Sequence, residues 1–128
     1  MKVLLDTCVL LWATLSPSHL TPKARKIIAD PGNTILVSSA SAWEIATKVR
    51  LGKLPCAERL ENNYADVLNQ AGYTPLDIDT ESALRAGRMP AEHRDPFDRM
   101  IAAQALGLDI AVVTPDVQFD ALGVRRLW

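Results

Sequence analysis

The sequence predicts an α/β fold in which a central parallel sheet of four to five strands is flanked by helices. Short apolar runs alternate along the chain with longer segments whose apolar residues recur at helical spacing. Turn-forming residues, such as Asp30-Pro31-Gly32-Asn33, separate these segments. The chain has 128 residues, of which 48% are hydrophobic and 23% charged, and a chain of this size and composition can fold around one core. We therefore expect a single domain over residues 1–128.

Five segments are candidates for the strands, because they are short, rich in apolar or β-branched residues and bounded by turn residues. They cover residues 3–5, 34–37, 74–78, 110–113 and 124–127. The third segment contains Pro75, which cannot donate a hydrogen bond to a neighbouring strand. We therefore expect the third strand at an edge of the sheet.

Start and stop signals predict the helices. Thr21-Pro22 is typical of an N-cap followed by a first helical residue, and the helix should run to about Ala29. Asp95-Pro96 shows the same pattern after a loop over residues 88–94. Other predicted helices cover residues 8–15, 57–71 and 79–87, together with one that Ser38 or Ser39 caps and Gly52 ends. The apolar stripe predicted for the last helix consists of Phe97, Met100, Ile101, Gln104, Ala105 and Leu108.

Charge and cysteine content limit the possible functions. The formal net charge is −1, so any nucleic-acid site must be a local patch rather than a basic field over the whole molecule. Cys8 and Cys56 lack metal-ligand spacing, and reduced thiols are typical of a cytosolic protein. Asp6 interrupts the apolar N-terminus, which argues against a signal peptide, and no run approaches the ~20 apolar residues of a membrane span. We expect a cytoplasmic protein without a membrane segment.

Acidic residues follow several of the predicted strands. Asp6 comes directly after the first strand, Asp116 follows the fourth after Thr114, and Glu44 lies near the start of the helix after the second. Because sites in parallel sheets gather beyond the carboxyl ends of the strands, these acids should converge at one edge. Asp98 can join them from the first turn of its helix.

Each of these acids can instead have a purely structural role, without belonging to a functional site. Asp98 stands at the third position of a helix capped by Asp95, where an acid suits the helix dipole. Glu44 can pair with Lys48 four residues on, or form a capping box with Ser41. These interpretations stay open for each residue taken alone.

Asp116 can likewise be a turn residue or cap a short helix over residues 117–122. Asp6 is harder to explain structurally, because apolar residues flank it and burial of a carboxylate is costly without a partner. Carboxylates at one edge also repel each other, and a divalent cation removes that conflict. An all-oxygen ligand set suits Mg²⁺ or Mn²⁺, and such a metal can activate water for phosphodiester hydrolysis.

Four segments resemble those of the PIN-domain ribonucleases, specifically the VapC-type toxins of bacterial toxin–antitoxin pairs. The segments are LLDTCVLLW (residues 4–12), SSASAWEIATKVRLGKL (residues 38–54), HRDPFDRMIAAQA (residues 93–105) and VVTPD (residues 112–116). They occur in the order typical of that family and extend over nearly the whole chain. The resemblance implies a PIN-like fold, Mg²⁺- or Mn²⁺-dependent cleavage of RNA, and a small antitoxin that blocks the site. It leaves a homodimer open.

The resemblance also assigns roles to residues. Asp6, Glu44 and Asp98 match the three strongest acidic positions of the family, and Asp116 matches the fourth, although Pro115 can shift it. Their implied roles are catalytic and metal-binding. Thr114 matches a hydroxyl position that supports the metal site, and it is a candidate substrate contact together with Arg94 and Arg99.

Other candidate residues lie near these acids in the sequence. Arg94 and Arg99 would meet RNA phosphates or form a solvated loop rim. His93 suggests a general base, but activation of water by a metal does not require one. Trp12 and Trp43 are expected in the core rather than as platforms for bases.

Two other functions compete with a ribonuclease. A phosphotransfer domain of the haloacid-dehalogenase type needs an aspartate two residues after Asp6, where this chain has Cys8. A catalytically inactive PIN-fold module that binds nucleic acid or protein is the other alternative, and retention of all four acids argues against it.

Overall fold

The computed structural model describes residues 1–90 and 92–128, and part of the predicted loop at residues 88–94 therefore lies outside it. Within the described residues, one sheet contains all strands in the order β3-β2-β1-β4-β5, and every pairing is parallel. The strands are β1 (Lys2–Leu5), β2 (Thr34–Ser38), β3 (Thr74–Leu76), β4 (Ala111–Val113) and β5 (Arg126–Leu127). The predicted fold class is confirmed, and Pro75 does lie on an edge strand.

The central strand β1 is buried on both faces, which explains its uninterrupted apolar sequence. Val3 and Leu5 point into one core cluster, and Leu4 points into the other. The second cluster contains Phe119 and Ile101, both without solvent exposure. Helices cover both faces of the sheet, so its carboxyl edge is left as the place where loops can form a site.

Helices connect the strands. Their bounds are α1 (Thr7–Leu15), α2 (Pro22–Ala29), α3 (Ser39–Arg50), α4 (Glu58–Asn62), α5 (Tyr64–Ala71), α6 (Thr80–Arg88), α7 (Pro96–Leu108) and α8 (Gln118–Ala121), with single 3₁₀ turns at Pro17–His19 and Pro55–Ala57. The predicted caps Thr21 and Asp95 accept hydrogen bonds from the first-turn amides of α2 and α7. Ser38, rather than Ser39, caps α3. Caps act within one helical turn, which is why local sequence predicts them.

Two helix predictions were wrong. The single helix predicted over residues 57–71 is broken at Asn63, whose side chain donates to the Arg59 carbonyl at 3.0 Å. Asparagine competes in this way with regular helical hydrogen bonding. Leu108, which was predicted to lie in the apolar stripe of α7, is 49% exposed. The last turn of α7 extends past the buried face that Ile101, Ala102 and Ala105 form.

The prediction for Trp43 was also wrong, since its side chain is 59% exposed, whereas Trp12 packs against the core as predicted. The buried face of α3 includes Ser41 and Glu44. Polar residues therefore face inward on this helix, and Trp43 lies outside that face.

The described residues contain neither a disulfide nor a helix that could cross a membrane. The cysteines in this part of the chain form no disulfide, and Cys56 is exposed. No helix found there has the length and hydropathy that crossing a bilayer requires.

Candidate active site

Asp6 is held at the carboxyl end of the central strand by contacts on both carboxylate oxygens. Oδ1 accepts from the Thr7 amide at 2.7 Å, which makes Asp6 the N-cap of α1. Oδ2 accepts from the Thr114 hydroxyl at 2.7 Å and, more weakly, from the Cys8 thiol at 3.4 Å. The backbone N–H of Asp6 donates to the Val113 carbonyl. This carboxylate therefore has a fixed position between β1 and β4.

Burial raises the pKa of Asp6, and the hydrogen bonds from Thr114, Cys8 and Thr7 lower it only in part. The charge of Glu44 raises the pKa further. The net effect is that the ionised form of Asp6 is destabilised when no cation is bound. A cation beside it would reverse that effect.

Thr114 connects Asp6 to Asp116. Its fully buried hydroxyl donates to Asp6 and accepts from the Asp116 amide at 3.0 Å. Asp116 in turn caps the turn before α8 by accepting from the Gln118 amide at 2.9 Å. The capping role considered for Asp116 is thus present, and the same carboxyl group is close to Asp98.

Glu44 pairs with Lys48, as its spacing predicts, but the pair is not an ordinary surface pair. Glu44 is only 5% exposed. Its Oε2 contacts the Lys48 ammonium, whereas its Oε1 is buried and has no hydrogen-bond partner among the described residues. The capping box with Ser41 is not formed, since Ser38 is the N-cap. A buried, unpaired carboxylate oxygen is costly and is well suited to contact a cation.

Asp98 projects from the first turn of α7, which Asp95 caps through the Phe97 amide at 2.9 Å. Burial raises the pKa of Asp98 to about 8, and the charges of Asp6, Asp95, Glu44 and Asp116 add to the effect. The helix-start role is therefore filled by Asp95. The structure brings the four predicted acids into one electrostatic neighbourhood, and their catalytic and metal-binding roles stay predictions.

His93 is the residue that sequence reasoning underestimated. Its Nε2 lies 3.0 Å from Oδ2 of Asp98, and one ligand atom from each of His93, Asp98 and Asp116 lies within 4.8 Å of the others. Its position five residues before Asp98, across a proline-started helix, was the available signal. Sequence alone does not show that the loop folds back towards the acids.

Comparison with known proteins decides the family. A sequence model described as the PIN domain matches residues 3–124 of this chain. The chain belongs to the PIN domain family. Ribonuclease VapC16 of Mycobacterium tuberculosis (strain ATCC 25618 / H37Rv) is 46% identical over 57 residues, which are 44% of this chain and 40% of that protein. The match thus spans less than half of the length of this curated relative.

Solved structures share the fold over almost the whole PIN domain. VapBC2 from Rickettsia felis, bound to a DNA fragment from their promoter, superposes with a TM-score of 0.71 at 16% identity, covering 99% of this chain and 98% of that one. DNA-bound VapBC from Salmonella typhimurium gives a TM-score of 0.67 at 26% identity, covering 99% and 97%. The first likeness shows the fold alone.

Arg99 has a different environment from the one that its position suggested. Its guanidinium donates to the backbone carbonyls of Ala86 at 3.0 Å, Met89 at 2.6 Å and His93 at 3.0 Å. These bonds tie the end of α6 and the following loop to α7. The geometry favours a structural role for Arg99 over contact with a phosphate. Arg94, by contrast, is exposed.

An aromatic pair lies beside the acids of this PIN domain. Trp43 and Phe97 directly precede Glu44 and Asp98 in the sequence, and their rings meet edge to face with centroids 4.7 Å apart. Such a contact contributes about 0.5–1.5 kcal/mol beyond area burial. It fixes α3 against the first turn of α7, and thereby the spacing of the two acids that follow.

Replacing Asp98 by Asn tests the electrostatics of the site. Because the pKa of Asp98 is about 8 in the folded protein and about 3.9 when unfolded, the folded state keeps a proton that the unfolded state loses between these values. The free energy of unfolding should therefore fall as pH rises from about 4 to 8. In EDTA, Asp98→Asn should show a weaker fall and match or exceed the parent near pH 8, as measured by urea unfolding across this range.

A matched control is Asp66→Asn, since Asp66 is exposed on α5; this variant should keep the pH dependence of the parent. Millimolar Mg²⁺ should stabilise the parent more than Asp98→Asn. Loss of stability by Asp98→Asn at every pH, with an equal response to Mg²⁺, would instead assign Asp98 to the helix start alone.

Proposed function

We propose that this chain is a VapC-type, metal-dependent endoribonuclease that hydrolyses RNA phosphodiester bonds and acts as the toxin of a toxin–antitoxin pair. The observation that carries the proposal is the cluster of mutually repelling acids at the carboxyl edge of the sheet, of which Asp116 is half-buried and the other three are buried. Asp6, Glu44 and Asp116 all raise the pKa of Asp98. The 46% identity to Ribonuclease VapC16 over 57 residues supports the same activity.

The donor set fits a divalent cation. Carboxylate oxygens are the ligands that Mg²⁺ and Mn²⁺ prefer, and the unpaired Oε1 of Glu44 is available for this role. We assign Asp6, Glu44, Asp98 and Asp116 to hold the ion. When bound, a divalent cation supplies Lewis acidity and orients the attacking water.

Neighbouring residues orient these carboxylates and balance their charge. The Thr114 hydroxyl and the Thr7 amide orient Asp6, while Lys48 balances one oxygen of Glu44. Asp95 satisfies the amides at the start of α7, so Asp98 need not do so. Fixed ligands lose little conformational freedom on binding, which supports both affinity and geometry.

RNA is the proposed substrate, and exposed cations are available to its phosphates in a chain of net charge −1. Arg50, Lys53 and Arg94 are exposed. Cations at such positions neutralise phosphates without reading bases. The RNA sequence that is cut is not specified by these contacts.

Removal of either of two acids should abolish cleavage. Asp6→Asn and Asp98→Asn each take away one charged ligand, and we expect cleavage of a fluorescent RNA oligonucleotide in Mg²⁺ or Mn²⁺ to fall by at least about 100-fold. Circular dichroism should show that both variants remain folded. Asp66→Asn provides the control and should cut RNA like the parent. Parent-level cleavage by purified Asp6→Asn or Asp98→Asn would refute the assignment and favour an inactive binding module.

The two arginines should behave differently in RNA binding. Measured in the Asp6→Asn background to prevent cleavage, Arg94→Ala should reduce the slope of log K against log salt by about one phosphate contact. Arg99→Ala should leave the slope unchanged but lower the melting temperature, because three backbone carbonyls lose their donor. Equal changes of slope in both variants would show that Arg99 also meets the RNA.

An antitoxin is the proposed protein partner, and it should cover the acid cleft. The VapBC structure from Salmonella typhimurium, which shares this fold at 26% identity, supports the proposal. Co-expression with the product of a neighbouring small gene should give a complex that elutes as one species and does not cut RNA. High yield of this chain alone from normally growing cells, without binding by that product, would contradict it. Size-exclusion chromatography of the same samples tests whether this chain is a homodimer.

A further inference from the structure

We propose that His93 is a nitrogen ligand to the cation at the acid cleft, beside Asp98 and Asp116, and that it gives the site a preference for Mn²⁺ over Mg²⁺. The proposal rests on the cation site of the proposed function and adds a ligand that the acid pattern does not contain. It concerns one side chain in the loop before α7.

The spacing of the donor atoms carries the first part of the argument. Nε2 of His93 lies 3.0 Å from Oδ2 of Asp98. Two neighbouring ligands of an octahedral ion, each about 2.1 Å from the metal, are separated by about 3.0 Å. The ligand atoms of His93, Asp98 and Asp116 all lie within 4.8 Å of one another, little more than the roughly 4.2 Å between opposite ligands of such an ion.

The position of His93 is built into the fold. Its backbone carbonyl accepts from Nη1 of Arg99 at 3.0 Å, and the same guanidinium also binds the carbonyls of Ala86 and Met89. Arg99 follows Asp98 directly on α7. The residue that fixes the loop of His93 is therefore attached to the helix that carries Asp98, so the two donor groups keep their separation.

A separate observation indicates that a ligand belongs in this cleft. Glu44 is nine-tenths buried or more, and its Oε1 has no partner among the described residues. The charge of Glu44 acts on Asp98. Glu44 and His93 therefore both lie in the electrostatic neighbourhood of Asp98.

A nitrogen ligand changes the relative affinity of the site for Mn²⁺ and Mg²⁺. Mg²⁺ prefers oxygen ligands and retains its water, whereas transition metals accept imidazole more readily. A His93 ligand should therefore strengthen binding of Mn²⁺ much more than binding of Mg²⁺. A hydrogen bond from His93 that only orients Asp98 would affect both ions alike.

The chain contains two histidines, which allows a matched experiment. His19 is exposed on the turn Pro17–His19 and stacks on Trp12, so His19→Gln leaves His93 as the one imidazole. The experiment titrates Mn²⁺ into three metal-free proteins, which are the 128-residue parent, His19→Gln and His93→Gln. Electron paramagnetic resonance follows the free Mn²⁺, and competition against Mn²⁺ measures the binding of Mg²⁺. His93→Gln should weaken Mn²⁺ binding by about 10-fold or more and Mg²⁺ binding by clearly less. His19→Gln should change neither.

Electron spin-echo spectra of the Mn²⁺-loaded proteins test direct ligation. A ¹⁴N coupling typical of imidazole should be present in the parent and in His19→Gln and absent from His93→Gln. Absence of this coupling in His19→Gln overturns the proposal, and this result does not depend on whether His93→Gln folds. Equal weakening of Mn²⁺ and Mg²⁺ binding in His93→Gln also overturns it and leaves His93 as a residue that positions Asp98.

These outcomes separate the proposal from the proposed function. Mn²⁺ binding without the ¹⁴N coupling removes only the ligand role of His93, and the carboxylate site survives. No binding of Mn²⁺ or Mg²⁺ by the parent removes the cation site itself, and the ligand role of His93 with it.

Discussion

The contact between the Thr114 hydroxyl and the Asp6 carboxylate holds the site together, and it depends on the register of the two central strands. Leu5 of β1 is paired with Val113 of β4, so the residues that follow them leave the sheet side by side. A carboxylate buried there needs hydrogen-bond donors, and the Thr114 side chain and the start of α1 provide them. The parallel topology thus creates both the buried acid and its support.

The position of α7 is the second condition for the site, because this helix brings Asp98 to the strand ends. Gln104, in the middle of α7, accepts from the Ser38 hydroxyl and donates to the Asp77 carbonyl. These buried amide contacts tie α7 to the ends of β2 and β3. This rigid attachment costs electrostatic free energy, because it prevents the repelling carboxylates from moving apart. Clustered charge of this kind is typical of functional sites.

Local sequence accounts for much of the architecture. The caps Thr21 and Asp95, the edge strand with Pro75 and the acid after β1 were all predicted, because each follows from interactions within a few residues or from the period of a strand. The convergence of acids at the carboxyl edge followed from topology. The buried environment of Glu44 was not predicted, because its spacing to Lys48 is equally typical of an exposed helix.

Tertiary structure alone decided the rest. The carbonyl contacts of Arg99 and the loop position of His93 depend on how the end of α6 packs against α7. The exposed position of Trp43 depends on how α3 packs against α7. A loop has no periodicity from which side-chain direction can be read, and its geometry is set by contacts between residues far apart in sequence. The sequence by itself therefore determined the sheet, the capped helices and the four acids, whereas strand register and packing between helices determined which neighbours those acids meet.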